Sequence, residues 1–436
     1  MKSIKVGLLG IGTVGAGTFA VLKRNQDEIR RRAGCGIDIV MVADLDTARA
    51  AKIAGPGVDI VSDGNLVVNH PDIDIVIELI GGYGIARDLV MKAIANGKHV
   101  VTANKALLAL HGTEIFKAAQ DKGVMVAFEA AVAGGIPIIK ALREGLTANR
   151  IEWVAGIING TTNFILSEMR DKGLDFDVVL KEAQRLGYAE ADPTFDIEGV
   201  DAAHKVSIMS AIAFGTPVQF EKAYVEGITG LQAIDIRYAE QLGYRIKLLG
   251  ITRRADNGIE LRVHPTLIPI NRLIANVEGA MNAVLVKGDA VGATLYYGKG
   301  AGAEPTASAV IADVVDITRL ALADPAHRVP YLAFQSDAVA HTPILPMAEI
   351  TTSYYLRICV ADKLGVLADI TRILADASIS VDAMLQKEPA EGEAQTDIII
   401  LTHQTQEKNV NAAMASIENL STVSGKIIRL RLEHLS

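Results

Sequence analysis

Two cysteines, Cys35 and Cys359, are all that this chain of 436 residues carries, and they lie far apart. That argues against a disulfide framework and makes a reducing compartment the natural one. Aromatic residues are scarce at 5%, with a single tryptophan, although half of the chain is hydrophobic. The apolar content is therefore mostly aliphatic, with Ala, Ile, Val and Gly abundant, which suits α/β layers of closely packed helices and strands. An excess of positive charge is also lacking: the formal net charge is −8. A nucleic-acid partner, which normally meets a basic patch, is not expected, whereas a small anionic ligand needs only a few local lysines or arginines. No apolar run reaches membrane-spanning length, and Met1-Lys2-Ser3-Ile4-Lys5 leads directly into a strand-like segment rather than a signal-type apolar stretch. The expectation is a cytoplasmic protein with no membrane partner, long enough for two or three domains.

Residues 4–9 read as a buried strand that runs into Gly10-Ile11-Gly12-Thr13-Val14-Gly15, followed by a helical stretch to about residue 32. G-x-G-x-x-G between a strand and a helix is the context that dinucleotide binding requires. Gly10 makes the tight turn, Gly12 lets the backbone approach a pyrophosphate, and Gly15 lets the helix close on the strand. The anion then rests on the helix N-terminus at Thr13 and Val14, where N–H groups and the dipole favour it. The plainer alternative is a tight turn in a non-binding α/β domain. The next strand, over 38–42, ends at Asp44; an acid there commonly bonds the adenosine ribose hydroxyls, which points to NAD. Lys23, Arg24 and Arg49 keep NADP open. Strands over 73–79 and 99–102 end in Gly81-Gly82 and Ala103-Asn104-Lys105. Both are carboxyl ends, where open parallel sheets bind ligands, so topology puts Lys105 toward the nicotinamide end of a cofactor.

After a strand over 124–128 comes Glu129-Ala130-Ala131-Val132-Ala133-Gly134-Gly135-Ile136-Pro137. This turn is either an interdomain hinge or a set of carbonyls that, with the Glu129 carboxylate, suits a hard cation. Residues 187–205 concentrate acids: Glu190, Asp192, Asp196, Glu198 and Asp201, then Lys205, just before the apolar run 206–214. Asp201 and Lys205 stand four apart on one face of a helix. An acid and an amine carried into apolar surroundings are costly unless paired or used, and the bland reading is a surface ion pair. His204 reads as a helix residue satisfied by packing rather than a metal ligand. Thr161 and Thr162 read as a cap for the helix that follows.

Together these segments closely resemble the homoserine dehydrogenase family in its bacterial form with a C-terminal regulatory domain. The resemblance rests on the glycine loop, Thr102-Ala103-Asn104-Lys105, Glu129 to Pro137 and Asn159-Gly160-Thr161-Thr162-Asn163-Phe164. It rests above all on the long signature Ala183, Gly187, Asp192-Pro193, Asp196, Gly199, Asp201 and Lys205. The resemblance implies an N-terminal Rossmann NAD(P)-binding domain (1–133, completed by a returning helix near 303–323). An α+β substrate and dimerisation domain (134–302) and a linker (324–350) would follow. The implied activity is reduction of L-aspartate 4-semialdehyde to L-homoserine with NADPH or NADH. It makes Lys205 the proton donor, with Lys105 beside it and Glu190, Asp196 and Asp201 holding the substrate. Gly302 joins the glycine loop at the cofactor. A sodium or potassium ion is implied at Glu129 and the backbone of Val132, Gly134 and Ile136, and a homodimer or homotetramer as the assembly.

The tail, 351–436, shows strand (354–360), helix (366–376), strand (379–387), strand (396–402), helix (406–418) and strand (426–432), the ferredoxin-like βαββαβ order. Its turn Asp362-Lys363-Leu364-Gly365-Val366-Leu367 resembles the signature of the ACT domain, an amino-acid-sensing module. Gly365 allows close backbone approach and the following helix N-terminus can take a carboxylate, so Asp362, Gly365, Val366 and Leu367 are candidates for an effector such as threonine. The alternative is a purely structural dimerisation module. Other readings fit less well. A 2-hydroxy-acid dehydrogenase leaves the 183–205 signature unexplained. An aspartate-semialdehyde dehydrogenase needs a nucleophilic thiolate that neither cysteine is placed to give. A non-catalytic NAD-linked sensor has no need of Lys105, Asp201 and Lys205.

Overall fold

In the computed structural model, which describes residues 3–321, 328–386 and 394–435, the apolar N-terminal strand β1 (Ile4–Leu9) is central to a parallel sheet. It is joined by β2 (Ile37–Ala43), β3 (Asp59–Val61), β4 (Ile75–Glu78), β5 (His99–Thr102) and β6 (Val126–Ala127) in the order β3-β2-β1-β4-β5-β6. Every neighbouring pair is parallel. The strand order reverses between β1 and β4, the switch point of a doubly wound Rossmann sheet. Val6, Leu8, Val76 and Val100 are fully buried, as expected for parallel strands covered by helices on both faces.

The single helix expected after the glycine loop is two, Thr13–Arg24 and Gln26–Ala33, separated at Asn25, whose φ and ψ of −105° and 19° leave the helical region. Helix Ala303–Leu320 returns to the sheet. Its Ala307, Val310, Val314 and Ile317 form one apolar face and share a core with Val6, Leu8 and Ile75. The chain folds as two compact units, and this first one comprises Met1–Gly160, Asp201–Ala223 and Ala280–Thr342. It also holds an antiparallel set, with Ile151–Ile157 paired to Met281–Gly288 and the latter to Gly292–Lys299.

The second unit comprises Thr161–Val200, Tyr224–Gly279 and Pro343–Ser436. Two strands of 12 residues each, Tyr244–Ala255 and Gly258–Pro269, pair antiparallel along their whole length. The tail has the expected βαββαβ order: Thr351–Ala361, helix Val366–Asp376, Val381–Gln386, Gln395–Thr402, helix Glu407–Glu418 and Ile428–Leu432. Its apolar core joins Leu356, Ile358 and Ile400 of the sheet to Ile370, Leu374 and Ile417 of the helices.

One tail edge is covered. Ile428–Leu432 runs parallel to Gly258–Pro269, with Thr266 opposite Arg431 and Leu267 opposite Leu432. Buried ion pairs fix that seam: Arg431, fully buried, donates to Glu407 and Glu226, and Arg262 donates to Glu260 and Glu433. Lys387, the end of the expected strand over 379–387, and positions 324–327 of the expected linker lie outside the described residues. Among the described residues no helix is long and apolar enough to cross a membrane.

Candidate active site

The glycine loop joins β1 to the helix Thr13–Arg24 at the carboxyl edge of the sheet. Gly10 has φ +90°, and a Cβ built on it would stand 2.8 Å from the Leu79 carbonyl oxygen. A Cβ on Gly15 would stand 2.3 Å from the Gly10 oxygen, whereas one on Gly12 meets nothing within 4 Å. The turn is thus closed at Gly10 and Gly15 and open at Gly12, the cradle that a pyrophosphate fits. Asp44 reaches back to this loop: its Oδ2 accepts the Ile11 N–H at 2.8 Å and its Oδ1 the Asp46 N–H at 2.9 Å. Gly302, at φ +130°, starts the returning helix.

A buried acid that sequence reading passed over organises the next two loops. Glu78, at the end of β4, is fully buried, and burial holds its carboxyl above the usual range. Its Oε1 accepts N–H groups from Ile80 and Gly81, and its Oε2 accepts the Thr102 hydroxyl at 2.7 Å. Thr102 Oγ1 in turn accepts the Asn104 N–H, and Asn104 donates to the Gly82 carbonyl. The Asn104 side chain also caps helix Lys105–Lys122 by accepting the Leu107 N–H at 3.0 Å. Lys105 is thereby fixed at a helix N-terminus, where the dipole disfavours a cation.

Its counterion is Asp201. Helix Val200–Phe214 is buried on nearly every side, as its apolar run implies, and carries Asp201 and Lys205 one turn apart. Asp201 is 4% exposed. Its Oδ2 accepts Lys205 Nζ at 2.6 Å and Asn159 Nδ2 at 2.9 Å, and its Oδ1 stands 3.1 Å from Lys105 Nζ. Burial alone would raise this carboxyl, but the charges of Lys205 and then Lys105 outweigh it and bring it to about 2. Lys205 Nζ also donates to the Ile158 carbonyl at 2.7 Å. One carboxylate therefore bridges two ammonium groups, the arrangement that steadies a proton donor and an anion-stabilising cation side by side. His204, beside them, packs edge-on against Phe220; burial and the Lys105 charge push it down to about 4, so it is neutral at working pH.

The Glu129 turn belongs to the same unit. Ala133 and Gly134 both have positive φ, 54° and 44°, which turns successive carbonyls. Glu129 Oε1 and Oε2 accept the N–H groups of Ile139 and Lys140, and the Ile136 carbonyl accepts that of Ile138. The Glu129 N–H donates to Asp313 of the returning helix, a carboxyl that burial and then the Glu129 charge push up to about 7. A hard cation among Glu129, Val132, Gly134 and Ile136 would share the Glu129 and Ile136 oxygens with the N–H groups they accept.

Glu190 and Asp196 lie in the second unit. Glu190 is exposed, and Asp196 Oδ2 accepts the Thr161 hydroxyl at 3.0 Å. Helix Gly160–Lys172 begins before Thr161 and Thr162, so neither is its cap; the Thr161 hydroxyl goes instead to the Tyr188 carbonyl and Asp196. In the tail, Gly365 has φ +91° and precedes helix Val366–Asp376. Asp362 and the wholly exposed Leu364 stand on the outer side of this turn, while Val366 is buried and Leu367 half-buried. Sequence reading singled out Lys105, Asp201 and Lys205 but not Glu78 or Asp313. Glu78 closes an apolar strand and Asp313 lies on the apolar side of a helix, which is the one signal the sequence offers for either.

Comparison with known proteins agrees with this architecture. A family model described as homoserine dehydrogenase matches residues 137–315, one described as homoserine dehydrogenase, NAD binding domain, matches 10–129, and the ACT domain model matches 354–422. The chain is 58% identical to a homoserine dehydrogenase of Pseudomonas aeruginosa and 59% identical to one of Neisseria gonorrhoeae, in each case over 100% of both chains. Its fold is similar to that of a homoserine dehydrogenase from Thiobacillus denitrificans, with a TM-score of 0.96 and 71% identity, covering 100% of this chain and 99% of the other.

Proposed function

The chain belongs to the homoserine dehydrogenase family, an oxidoreductase with a nicotinamide-binding domain and a C-terminal ACT domain, and on that premise we propose that it interconverts L-aspartate 4-semialdehyde and L-homoserine, with Lys205 as the acid and base. The observation that carries this is the Asp201 carboxylate held between Lys205 and Lys105. The bound nicotinamide cofactor, NADPH or NADH, supplies the hydride to the aldehyde carbon. As the C=O bond becomes C–O⁻, the Lys205 ammonium gives its proton to that oxygen; in the reverse direction the amine takes it back. Asp201 and the Ile158 carbonyl hold Nζ in place throughout, and Lys105 stabilises the developing anion by charge. Glu190 and Asp201 recognise the substrate's α-ammonium, and Asp196 is a further substrate-binding residue.

The remaining assignments rest on the same resemblance. Gly10, Gly12, Thr13, Val14, Gly15, Asp44, Lys105 and Gly302 hold the cofactor, NADP or NAD: Asp44 beside the loop suits the ribose hydroxyls of NAD, while Lys23, Arg24 and Arg49 suit a 2′-phosphate. A sodium or potassium ion binds at Glu129, Val132, Gly134 and Ile136. Threonine acts through Asp362, Gly365, Val366 and Leu367 as a feedback inhibitor. The domains run over 1–133, 134–302 and 351–436, with 303–323 returning to the first and 324–350 as a linker. The protein works in the cytoplasm as a homodimer or homotetramer.

Purified protein supplied with L-aspartate 4-semialdehyde and NADPH or NADH tests the reading, with homoserine identified by chromatography and threonine added in a parallel series. Homoserine formation with one cofactor preferred, suppressed by threonine, is the expected result. Folded protein that binds cofactor yet makes no homoserine with either would overturn it.

A further inference from the structure

Strand β4 reads Ile75-Val76-Ile77-Glu78, and all four residues are buried. A carboxyl at the end of such a strand is costly unless its oxygens are used. Both oxygens of Glu78 are used. Oε1 gathers the N–H groups of Ile80 at 2.9 Å and Gly81 at 3.2 Å, from the loop that follows its own strand. Oε2 accepts the hydroxyl of Thr102 at 2.7 Å, the residue that stands opposite Glu78 where β4 pairs with β5. One carboxylate thus ties together the two loops at the carboxyl ends of β4 and β5, where an open parallel sheet carries its ligands.

Two lines of contact run from this carboxylate to Lys105. Along the first, the Thr102 hydroxyl that Glu78 orients accepts the Asn104 N–H at 3.0 Å. Asn104 Oδ1 then accepts the Leu107 N–H at 3.0 Å and closes the first turn of helix Lys105–Lys122. Along the second, the gathered loop turns back through Gly81 and Gly82, whose φ values of +79° and +68° suit glycine. The Gly82 carbonyl accepts the Asn104 side-chain amide. Both lines end on the residue directly before Lys105, and Thr102 and Asn104 are themselves buried, so water does not compete for these bonds. Lys105 has a flexible stem, and the place of its ammonium, 3.1 Å from Asp201, depends on where its backbone is held.

From this we infer that Glu78 is a positioning residue for the reduction: by gathering the loops after β4 and β5 it fixes the helix turn that presents Lys105 to the reacting oxygen. That role rests on Lys105 as the anion-stabilising cation proposed above. It is separate from holding the cofactor. The glycine cradle is closed by its own backbone at Gly10 and Gly15, and Leu79, which abuts Gly10, is held by its N–H bond to the Leu9 carbonyl at 2.8 Å.

The test is single-turnover oxidation of bound NADPH or NADH by aspartate semialdehyde, with the cofactor Kd measured by fluorescence titration. Glu78→Met removes every acceptor while suiting an apolar strand. Its rate constant should fall about tenfold or more, with the cofactor Kd within about threefold of wild type. Loss of folded protein would shrink the amplitude and leave the rate constant, so the rate constant separates positioning from stability. In a Lys105→Met background the same change should add less than about twofold, because both act through one ammonium. Glu78→Gln keeps an oxygen for Ile80 and Gly81 and can meet Thr102 through its amide, so it should be about fivefold faster than Glu78→Met or better. Thr102→Val cuts the first line at its next link, should slow the step about fivefold or more, and carries the test if Glu78→Met fails to fold. A wild-type rate constant in the folded variants, a tenfold loss repeated in the Lys105→Met background, or Glu78→Gln no faster than Glu78→Met would overturn the positioning role and leave Lys105 in its own. Lys105→Met as fast as wild type would overturn the reading of Lys105, and this role with it.

Discussion

Asp201→Asn isolates the charge at the centre of the site while keeping its shape. The amide can still meet Asn159 and Lys205 through one oxygen, but it offers no counter-charge to ammonium groups 2.6 and 3.1 Å away. Removing one member of a buried ion pair typically costs about 3–5 kcal/mol. The Lys105 side chain is 33% exposed, and solvent screens its share, which puts the stability loss near the low end, about 3 kcal/mol. A similar loss of support for the Lys205 ammonium leaves less of it protonated, and where the amine form takes over, reduction should be slower by roughly a hundredfold. Aldehyde reduction needs Lys205 protonated, so the alkaline limb of the rate profile should move to lower pH in the variant. Steady-state kinetics across pH, with cofactor binding measured separately, reads both effects. A folded variant with kcat within threefold of wild type and an unmoved alkaline limb would refute the bridging role.

Gly15→Ala forces a Cβ to within 2.3 Å of the Gly10 oxygen, so the loop must shift; the cofactor Kd should rise at least tenfold, as measured by fluorescence titration. Arg431→Met leaves Glu226 without this cation and Glu407, 2% exposed, with Arg429 alone at 3.1 Å. The unit containing the tail should lose about 3–5 kcal/mol by chemical denaturation, and adding Glu407→Leu should restore part of it. Lys247 is 1% exposed, and burial, only partly offset by Glu278, brings its pKa down to about 8. The folded protein then binds fewer protons than the unfolded chain between about pH 8 and 10.5, so stability from this group rises over that window. The cost below it is about 3 kcal/mol. Denaturation of wild type and Lys247→Met at pH 7.5 and 10 should show wild type gaining relative to the variant; equal changes would refute the burial argument.

Much of this was legible because local signals agreed with the fold. The glycine loop stood between an apolar strand and a helix, and helix Val366–Asp376 has the bounds its periodicity gave. Asp201 and Lys205 could be singled out because an acid and an amine at i, i+4 in an apolar helix demand partners, and Lys105 because it follows the carboxyl end of a strand. Their meeting could not be read directly, since Lys105 comes from another helix far away in sequence. The break at Asn25 was hidden by good helix formers on both sides of it. Strand Gly292–Lys299 was missed because it is partly exposed on both faces and so shows no period-two pattern. The buried acids Glu78 and Asp313 acquire meaning only when the N–H groups they serve are in view.

The proton-transfer role of Lys205 is open to a single-turnover comparison of wild type and Lys205→Ala, each preloaded with reduced cofactor and mixed with aspartate semialdehyde. If Lys205 donates the proton, the variant should bind cofactor with a Kd within threefold of wild type. Its oxidation of that cofactor should be about a hundredfold to ten-thousandfold slower. A variant that binds cofactor normally and turns over within tenfold of wild type would contradict it.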